Sequence, residues 1–243
     1  LAGLYSDIKD HLEIIFRNKI KIVITSAGNP ATYTPVLKEH GIKVMHVVSS
    51  KKFAQKAEKA GCDAVITEGV EAGGHNGREE TTSMVLIPLV CESVSIPVIA
   101  AGGIATGRQM FAAMVLGADG VQIGSRFVAS EEASSHINFK KLIINSDEGN
   151  TILTLKELTP VRILKNHFYN EILKAQQNHA GIEELKNILG RGRARKGMFE
   201  GNLDEGELEI GQVSALIKEI KPAAEIVKEI WLQFNEVLSA PLK

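Results

Sequence analysis

The 243-residue chain is 44% hydrophobic and 23% charged, with 28 basic against 29 acidic residues. That is the composition of a globular protein of one large domain or two small ones. A formal net charge of −1 gives no electrostatic case for binding nucleic acid or an anionic membrane surface. No segment approaches the ~20 consecutive apolar residues of a membrane helix. Cys62 and Cys91 are too few for a multi-disulfide scaffold and are not spaced as zinc ligands. They read as small reduced core residues, which makes a cytoplasmic location the expectation. The opening segment LAGLYSDIKD has neither a basic n-region nor a long apolar run, so no secretion signal is expected. It also lacks an initiator Met, which suggests a start inside a longer gene product.

Five short runs rich in Val and Ile follow: Ile20–Thr25, Ile42–Val48, Asp63–Thr67, Ile96–Ala100 and Asp119–Ile123. Each is bounded by Gly or polar residues, as strands are. Helical spacing of apolar residues predicts helices over Ala31–His40, Lys52–Ala60 and Gln109–Leu116 between them. Strand and helix in alternation mean parallel βαβ units. The strand starts recur at intervals of 22, 21, 33 and 23 residues. A TIM barrel allots roughly 25–30 residues to each unit, so the one long interval carries an enlarged loop. Five strands do not close an eight-stranded barrel. On pattern alone an open, doubly wound five-stranded sheet is an equal alternative.

Residues 131–243 change character. Helices are expected over Ala133–Asn145, Leu155–Ala175, Ile182–Arg195 and Pro222–Leu238. Gly197–Gly211 holds four glycines and five acids and reads as an irregular acidic surface loop. The cluster RGRARK (Arg191–Lys196) reads as a solvated helix end with cations near its C-terminal dipole. A phosphate-binding role for it is only weakly signalled.

Three loops could carry chemistry. Glu68–Gly77, EGVEAGGHNG, leaves the third run and holds His75 among glycines. An imidazole that titrates near neutrality suits a general base or acid. The bland alternative is a glycine-rich turn with a surface histidine. Ala101-Gly102-Gly103 follows the fourth run, and Gly124-Ser125 the fifth. Both place backbone N–H groups at a strand-to-helix turn, where phosphate binds. Two such turns in consecutive units favour a barrel, in which the phosphate site is built after strands seven and eight. Ile20–Thr25 then becomes strand four, and strands one to three precede Leu1. That would leave strand four an unpaired edge. Of the other histidines, His46 lies within a strand. His136, after strand eight, is a lesser candidate for ligand contact. No metal site is expected, because no pair of His or Cys has ligand spacing.

Together EGVEAGGHNG, IPVIAAGGIATG and GADGVQIGSRF resemble the flavin-dependent nitronate monooxygenases, also called 2-nitropropane dioxygenases. ASEEASSHINFK and GELEIGQVSALI extend the resemblance over nearly the whole chain. The same superfamily contains the flavin-dependent enoyl-ACP reductases. The resemblance implies an α/β TIM (β/α)8 barrel with FMN at the C-terminal mouth. Strands four to eight would lie in residues 1–130, and the last barrel helix and a helical C-terminal extension in 131–243. His75 matches the catalytic histidine of the AGGH motif. Gly73 and Gly74 would lie near the flavin. Ala101, Gly102, Gly103, Gln122, Ile123, Gly124 and Ser125 would hold FMN, its phosphate above all. Glu68 stands where many nitronate monooxygenases have Gln and enoyl reductases often have Glu.

The resemblance implies one of two activities. The first is oxidation of alkyl nitronates with O2 to a carbonyl compound and nitrite, with His75 as base. The second is NAD(P)H-dependent reduction of an enoyl thioester through the same FMN. A phosphate-binding barrel without catalysis is the reading from another class. The partners expected are therefore small molecules, with neither nucleic acid nor membrane, and a homodimer is left open.

Overall fold

The computed structural model describes residues 8–240. Residues 1–7, the greater part of the segment read above for a secretion signal, lie outside the described residues. The elements run α1 (Ile8–Arg17), β1 (Ile22–Thr25), α2 (Thr34–Glu39), β2 (Lys43–Val48), α3 (Lys51–Lys59) and β3 (Ala64–Glu68). Next come β4 (Gly74–His75), α4 (Ser83–Cys91), β5 (Val98–Ala101), α5 (Gly107–Val115), β6 (Gly120–Gln122) and α6 (Ser125–Val128). The chain continues through α7 (Ile137–Ile144), β7 (Thr151–Thr154), β8 (Val161–Leu164), α8 (His167–Gln177), α9 (Ile182–Leu189) and α10 (Ala223–Ser239). No helix is long and apolar enough to cross a membrane among the described residues.

Two compact units interleave along the chain. The first takes in the chain up to Glu68, Thr81–Ala101 and Ala113–Gln122. Its sheet has the order β1-β2-β3-β5-β6, and every pairing is parallel. Each strand thus lies beside the parallel strand that precedes it. A doubly wound sheet would reverse its order at a switch point. Sequential order is that of a barrel wall, so the fold is α/β of the TIM-barrel type.

Burial alternates along β1 and β2 and is nearly continuous in β3, which has helices on one face and the wall's inner face on the other. Val23, Val44, Val65 and Val98 are buried against Leu37, Ala54, Ala57, Leu86 and Val90. Each fully buried Val or Leu contributes about 1.5–3 kcal/mol. The small alanines of α3 let that helix approach the sheet. Asp63 and Asp119, expected as first strand residues, stand just before β3 and β6. Their carboxylates accept the Val44 and Val98 amides of the neighbouring strands, both at 2.8 Å. This repeated device pins the parallel register. Among the described residues β1 pairs with β2 alone, and its Ile22 and Ile24 are exposed. Cys62 is buried and both cysteines are free thiols.

The second unit takes in Gly69–Glu80, Gly102–Ala112 and Ile123–Lys243. It holds an antiparallel sheet in the order β4-β8-β7, with all four residues of the central β8 buried. Here three expectations fail. The helix expected over Leu155–Ala175 begins only at His167; residues up to Leu164 belong to a hairpin of β7 and β8. Pro160 and the β-branched residues of TILT and VRIL favour strands there, and the apolar residues coincide with a helical period. The helix expected to reach Arg195 stops at Leu189, where Gly190 turns the chain with φ 60°. The stretch 197–211 is not a surface loop, since Gly206, Glu207, Leu208, Ile210 and Gly211 are all buried. Leu208 and Ile210 join Phe139, Ile143 and Leu164 in one core cluster.

Candidate active site

Three of the expected site residues are neighbours at the end of the parallel wall. Glu68 faces Ala101 across the β3–β5 pair, and Ala101 faces Gln122 across β5–β6. Glu68 is largely buried, and burial alone pushes its carboxyl up to about 7. Beside it the Thr67 hydroxyl is fully buried without a hydrogen-bond partner among the described residues.

The segments that follow these strand ends in the chain meet one another within the second unit. Gly69 and Gly102 touch: a Cβ on Gly102 would stand 2.7 Å from the Gly69 carbonyl oxygen. Gly102 and Gly103 have φ of +90° and +73°, a backbone that only glycine adopts without strain. Gly103 packs on the Glu71 side chain. The Glu71 carbonyl accepts the Gln212 amide at 2.9 Å, and Gly73 runs against the main chain of Ile210. Ser125 accepts the Gly211 amide on its hydroxyl at 3.0 Å. Ile123 is half-buried and Gly124 exposed, with no atom within 4 Å of the position a Cβ would take on Gly124. The structure therefore sets Gly73 and Ser125 against a strap, residues 209–212, that the sequence did not nominate, and packs Gly102 and Gly103 on Gly69 and Glu71 of the loop the strap touches.

His75 is exposed on β4, which hydrogen-bonds to β8 through Gly74↔Arg162 and His75↔Val161. Asn76 shapes the turn. Its side-chain amide donates to the Ala72 and Gly74 carbonyls at 3.0 and 2.9 Å, and its main-chain amide to Pro160 at 2.8 Å. Glu209 bridges Ile163, the next residue of β8. Its carboxylate lies over Gly74, with Oε2 2.7 Å from the position of an added Cβ. Burial raises the Glu209 pKa, and the charge of nearby His75 lowers it. Glu207 is pushed up to about 7, by burial first and by Glu209 second, with Arg193 opposing. Arg162, 5% exposed, donates from Nε to the Val70 carbonyl at 2.9 Å and so anchors the start of the histidine loop. Sequence reading missed Asn76, Arg162, Glu207 and Glu209. The last two stand in GELEIG, where alternation of acid with Leu and Ile was the available signal.

The remaining candidates have structural work. His46 is buried and shares a 2.7 Å hydrogen bond with Thr25. His136 caps α7, accepting the Asn138 amide at 3.1 Å, and its ring packs on Gly201. In the basic cluster, Arg193 lies 4.5 Å above the Phe168 ring and donates to the Glu205 carbonyl at 2.9 Å. It is a packed residue rather than a solvated helix end.

A parallel wall whose strands run on into glycine-bearing loops is the arrangement of TIM-barrel enzymes, whose chemistry sits on those loops. The family described as nitronate monooxygenase matches residues 4–233. A probable nitronate monooxygenase of Staphylococcus saprophyticus is 32% identical over 243 residues, 95% of this chain and 68% of that protein. One of Staphylococcus aureus strain Newman is 37% identical over 242 residues, 95% of this chain and 67% of that protein. The chain thus spans about two thirds of the length of these relatives. FabK from Thermotoga maritima superposes with a TM-score of 0.91 at 40% identity, over 98% of this chain and 75% of that one. A nitroalkane oxidase from Streptomyces ansochromogenes gives 0.76 at 26% identity, over 94% and 68%. The chain belongs to the nitronate monooxygenase family, and it is an oxidoreductase of that kind.

Proposed function

We propose that this chain carries the FMN-binding and catalytic residues of an enzyme that oxidises alkyl nitronates with O2 to a carbonyl compound and nitrite. The observation that supports it is the meeting of the Gly69–His75, Gly102–Gly103 and Gly124–Ser125 segments within one unit. The residues fit the cofactor. The left-handed Gly102–Gly103 backbone and the open space about Gly124 let main-chain amides approach a phosphate closely. Gly102, Gly103, Gly124 and Ser125 would hold that phosphate. Gly73, Gly74 and Ile123 would line the remainder. FMN, when bound, supplies the electron chemistry, while the protein supplies position and electrostatics.

The chain's own residues then have simple tasks. His75 and the loop amides hold the two oxygens of an anionic nitronate. With a neutral nitroalkane, the His75 imidazole takes the α-proton. The Glu209 carboxylate over Gly74 stabilises the imidazolium that results. Nitrite release by the full-length, FMN-loaded protein tests the reading. His75→Ala is expected to lower turnover by about 10²–10⁴ with flavin retained. Flavin retained in the unsubstituted protein without nitrite formation overturns it.

Glu68 favours a second reading, reduction of an enoyl thioester with NAD(P)H. Burial holds its carboxyl near 7, so it is a proton carrier at neutral pH, which the amide of Gln is not. His75 then serves the carbonyl end as proton source. Anaerobic NAD(P)H oxidation that requires crotonyl thioester separates this reading from the first.

A further inference from the structure

Behind the turns that follow β5 and β6, a cavity of about 150 Å3 opens within the second unit, lined by Ala105 and Thr106 of the first turn. One face of α10 forms a wall of it, with Ile226, Glu229, Ile230 and Gln233 at helical spacing. Arg126 of α6 also lines it, and only 7% of that residue is exposed. One guanidinium nitrogen donates to the Glu219 carbonyl at 3.2 Å. A buried guanidinium ordinarily stands against a carboxylate, because desolvation of an unpaired charge is costly. The lining contains two carboxylates, whose charge favours the Arg126 cation, but Lys221 takes both as its direct partners. Its ammonium lies 2.5 Å from Glu219 and closer still to Glu229. Among the described residues Arg126 forms no ion pair. Arg126 thus keeps unused donors of a fork built for planar oxyanions.

We propose that this cavity binds a small monocarboxylate in bidentate contact with Arg126. The other lining groups set the ligand's charge and shape. Lys218 is held by the Ser146 carbonyl at 2.7 Å. Gln233 accepts the Gly107 amide on its oxygen at 3.0 Å, which leaves its NH2 group to donate. The nearby carboxylates of Glu219 and Glu229 repel a dianion. A neutral molecule would leave the unused guanidinium donors without a charge-assisted hydrogen bond. Ile226, Ile230 and Leu216 offer apolar surface to a short tail. A volume of about 150 Å3 accommodates a benzene-sized body, so the range runs from acetate to benzoate.

Fluorine NMR of trifluoroacetate with the full-length protein tests the site without reference to nitronate or thioester turnover. Saturable broadening is expected, displaced by acetate and benzoate but not by inorganic phosphate or methylammonium. Arg126→Met should weaken binding by about tenfold or more, the scale of a lost charge-assisted hydrogen bond. Leu216 is 58% exposed at the rim, so Leu216→Trp narrows the cavity without touching the core. It should weaken binding too, and it serves as the test if Arg126→Met does not fold. The proposal is overturned by the absence of saturable broadening, by displacement with phosphate, or by undiminished binding in a folded variant of either kind.

Discussion

The two units are held together by different physics. In the first, Val23, Val44, Val65 and Val98 stand one on each of four strands and meet helices that include Ala54 and Ala57 of α3. The polar ties sit at strand ends, where Asp63 and Asp119 reach a neighbour's amide. The second unit buries Arg126, Lys140, Arg162 and Glu207. Lys140, 5% exposed, donates to the Glu131 and Ala133 carbonyls at 3.1 and 2.8 Å, and Arg162 ties the histidine loop to β8. The wall therefore depends on apolar area, which tolerates exchange. The loop-bearing unit depends on particular donors and on places where backbone touches backbone, which do not. Loops that must hold a ligand need such fixed contacts.

Substitutions in each unit can break that contrast. The largest effect is expected at Ile66 of β3, 1% exposed, where Ile66→Ala should cost about 2–5 kcal/mol in urea unfolding. Ile66→Leu, which keeps the volume, should cost under about 1.5 kcal/mol. In the second unit the addition of a single methyl should compete with that loss. A Cβ on Gly107 would overlap the Ile230 carbonyl oxygen and the Phe234 nitrogen of α10. These are main-chain atoms that no rotamer change moves aside. Gly107→Ala should therefore cost about 1–3 kcal/mol, although alanine is the better helix former. A neutral or stabilising Gly107→Ala would mean that α10 is not seated on that glycine, and the contrast would fail.

The same difference explains what could be read in advance. All five parallel strands were legible to within one or two residues, because a buried strand imposes a short Val- and Ile-rich run. Their sequential order also rested on a signal in the residues, the two consecutive glycine turns at Gly102–Gly103 and Gly124–Ser125. The β7–β8 hairpin was not legible, since Val161, Leu164, Phe168, Ile172 and Ala175 recur at helical spacings of three and four across the strand and the helix that follows it. GELEIG hid its nature for another reason. Acids ordinarily mark solvent, and only tertiary contacts reveal that Glu207 is 7% exposed and that Glu209 stands over Gly74. His75 was found by its flanking glycines; the residues that hold its loop, Asn76 and Arg162, carry no comparable local mark.

Next in size is a pH effect in the second unit. Burial pushes the Glu207 carboxyl up to about 7, from an ordinary value of 4.5. Between those values the folded protein keeps a proton that the unfolded chain has released. Stability therefore falls as pH rises through this window. A shift of that size is worth about 3 kcal/mol at most. Glu207→Gln should leave stability unchanged near pH ~4 and raise it by about 1–3 kcal/mol near pH ~8. Urea midpoints at the two pH values are the measurement. A variant that is weaker at both would show that the carboxylate's contacts outweigh its burial.

Asp63 of the first unit should respond with the opposite sign and the smallest amplitude. Burial alone would raise its pKa, yet Lys38 at 2.6 Å, the Val44 amide at 2.8 Å and Lys43 at 3.1 Å bring it down to about 2. The unfolded chain binds the proton near pH ~4, so between those values it is the unfolded state that is protonated. The contribution is present above pH ~4 and is lost as pH falls toward 2. The side chains of Lys38 and Lys43 are 40% and 67% exposed, and solvent screens both pairs. What remains is chiefly the bond to the Val44 amide. Asp63→Asn should thus cost about 1 kcal/mol at neutral pH, less as pH falls through ~2 and nothing below it, with salt removing little of it. A loss that vanishes in salt would assign the effect to the lysines and deny the carboxylate its part in setting the register of the wall.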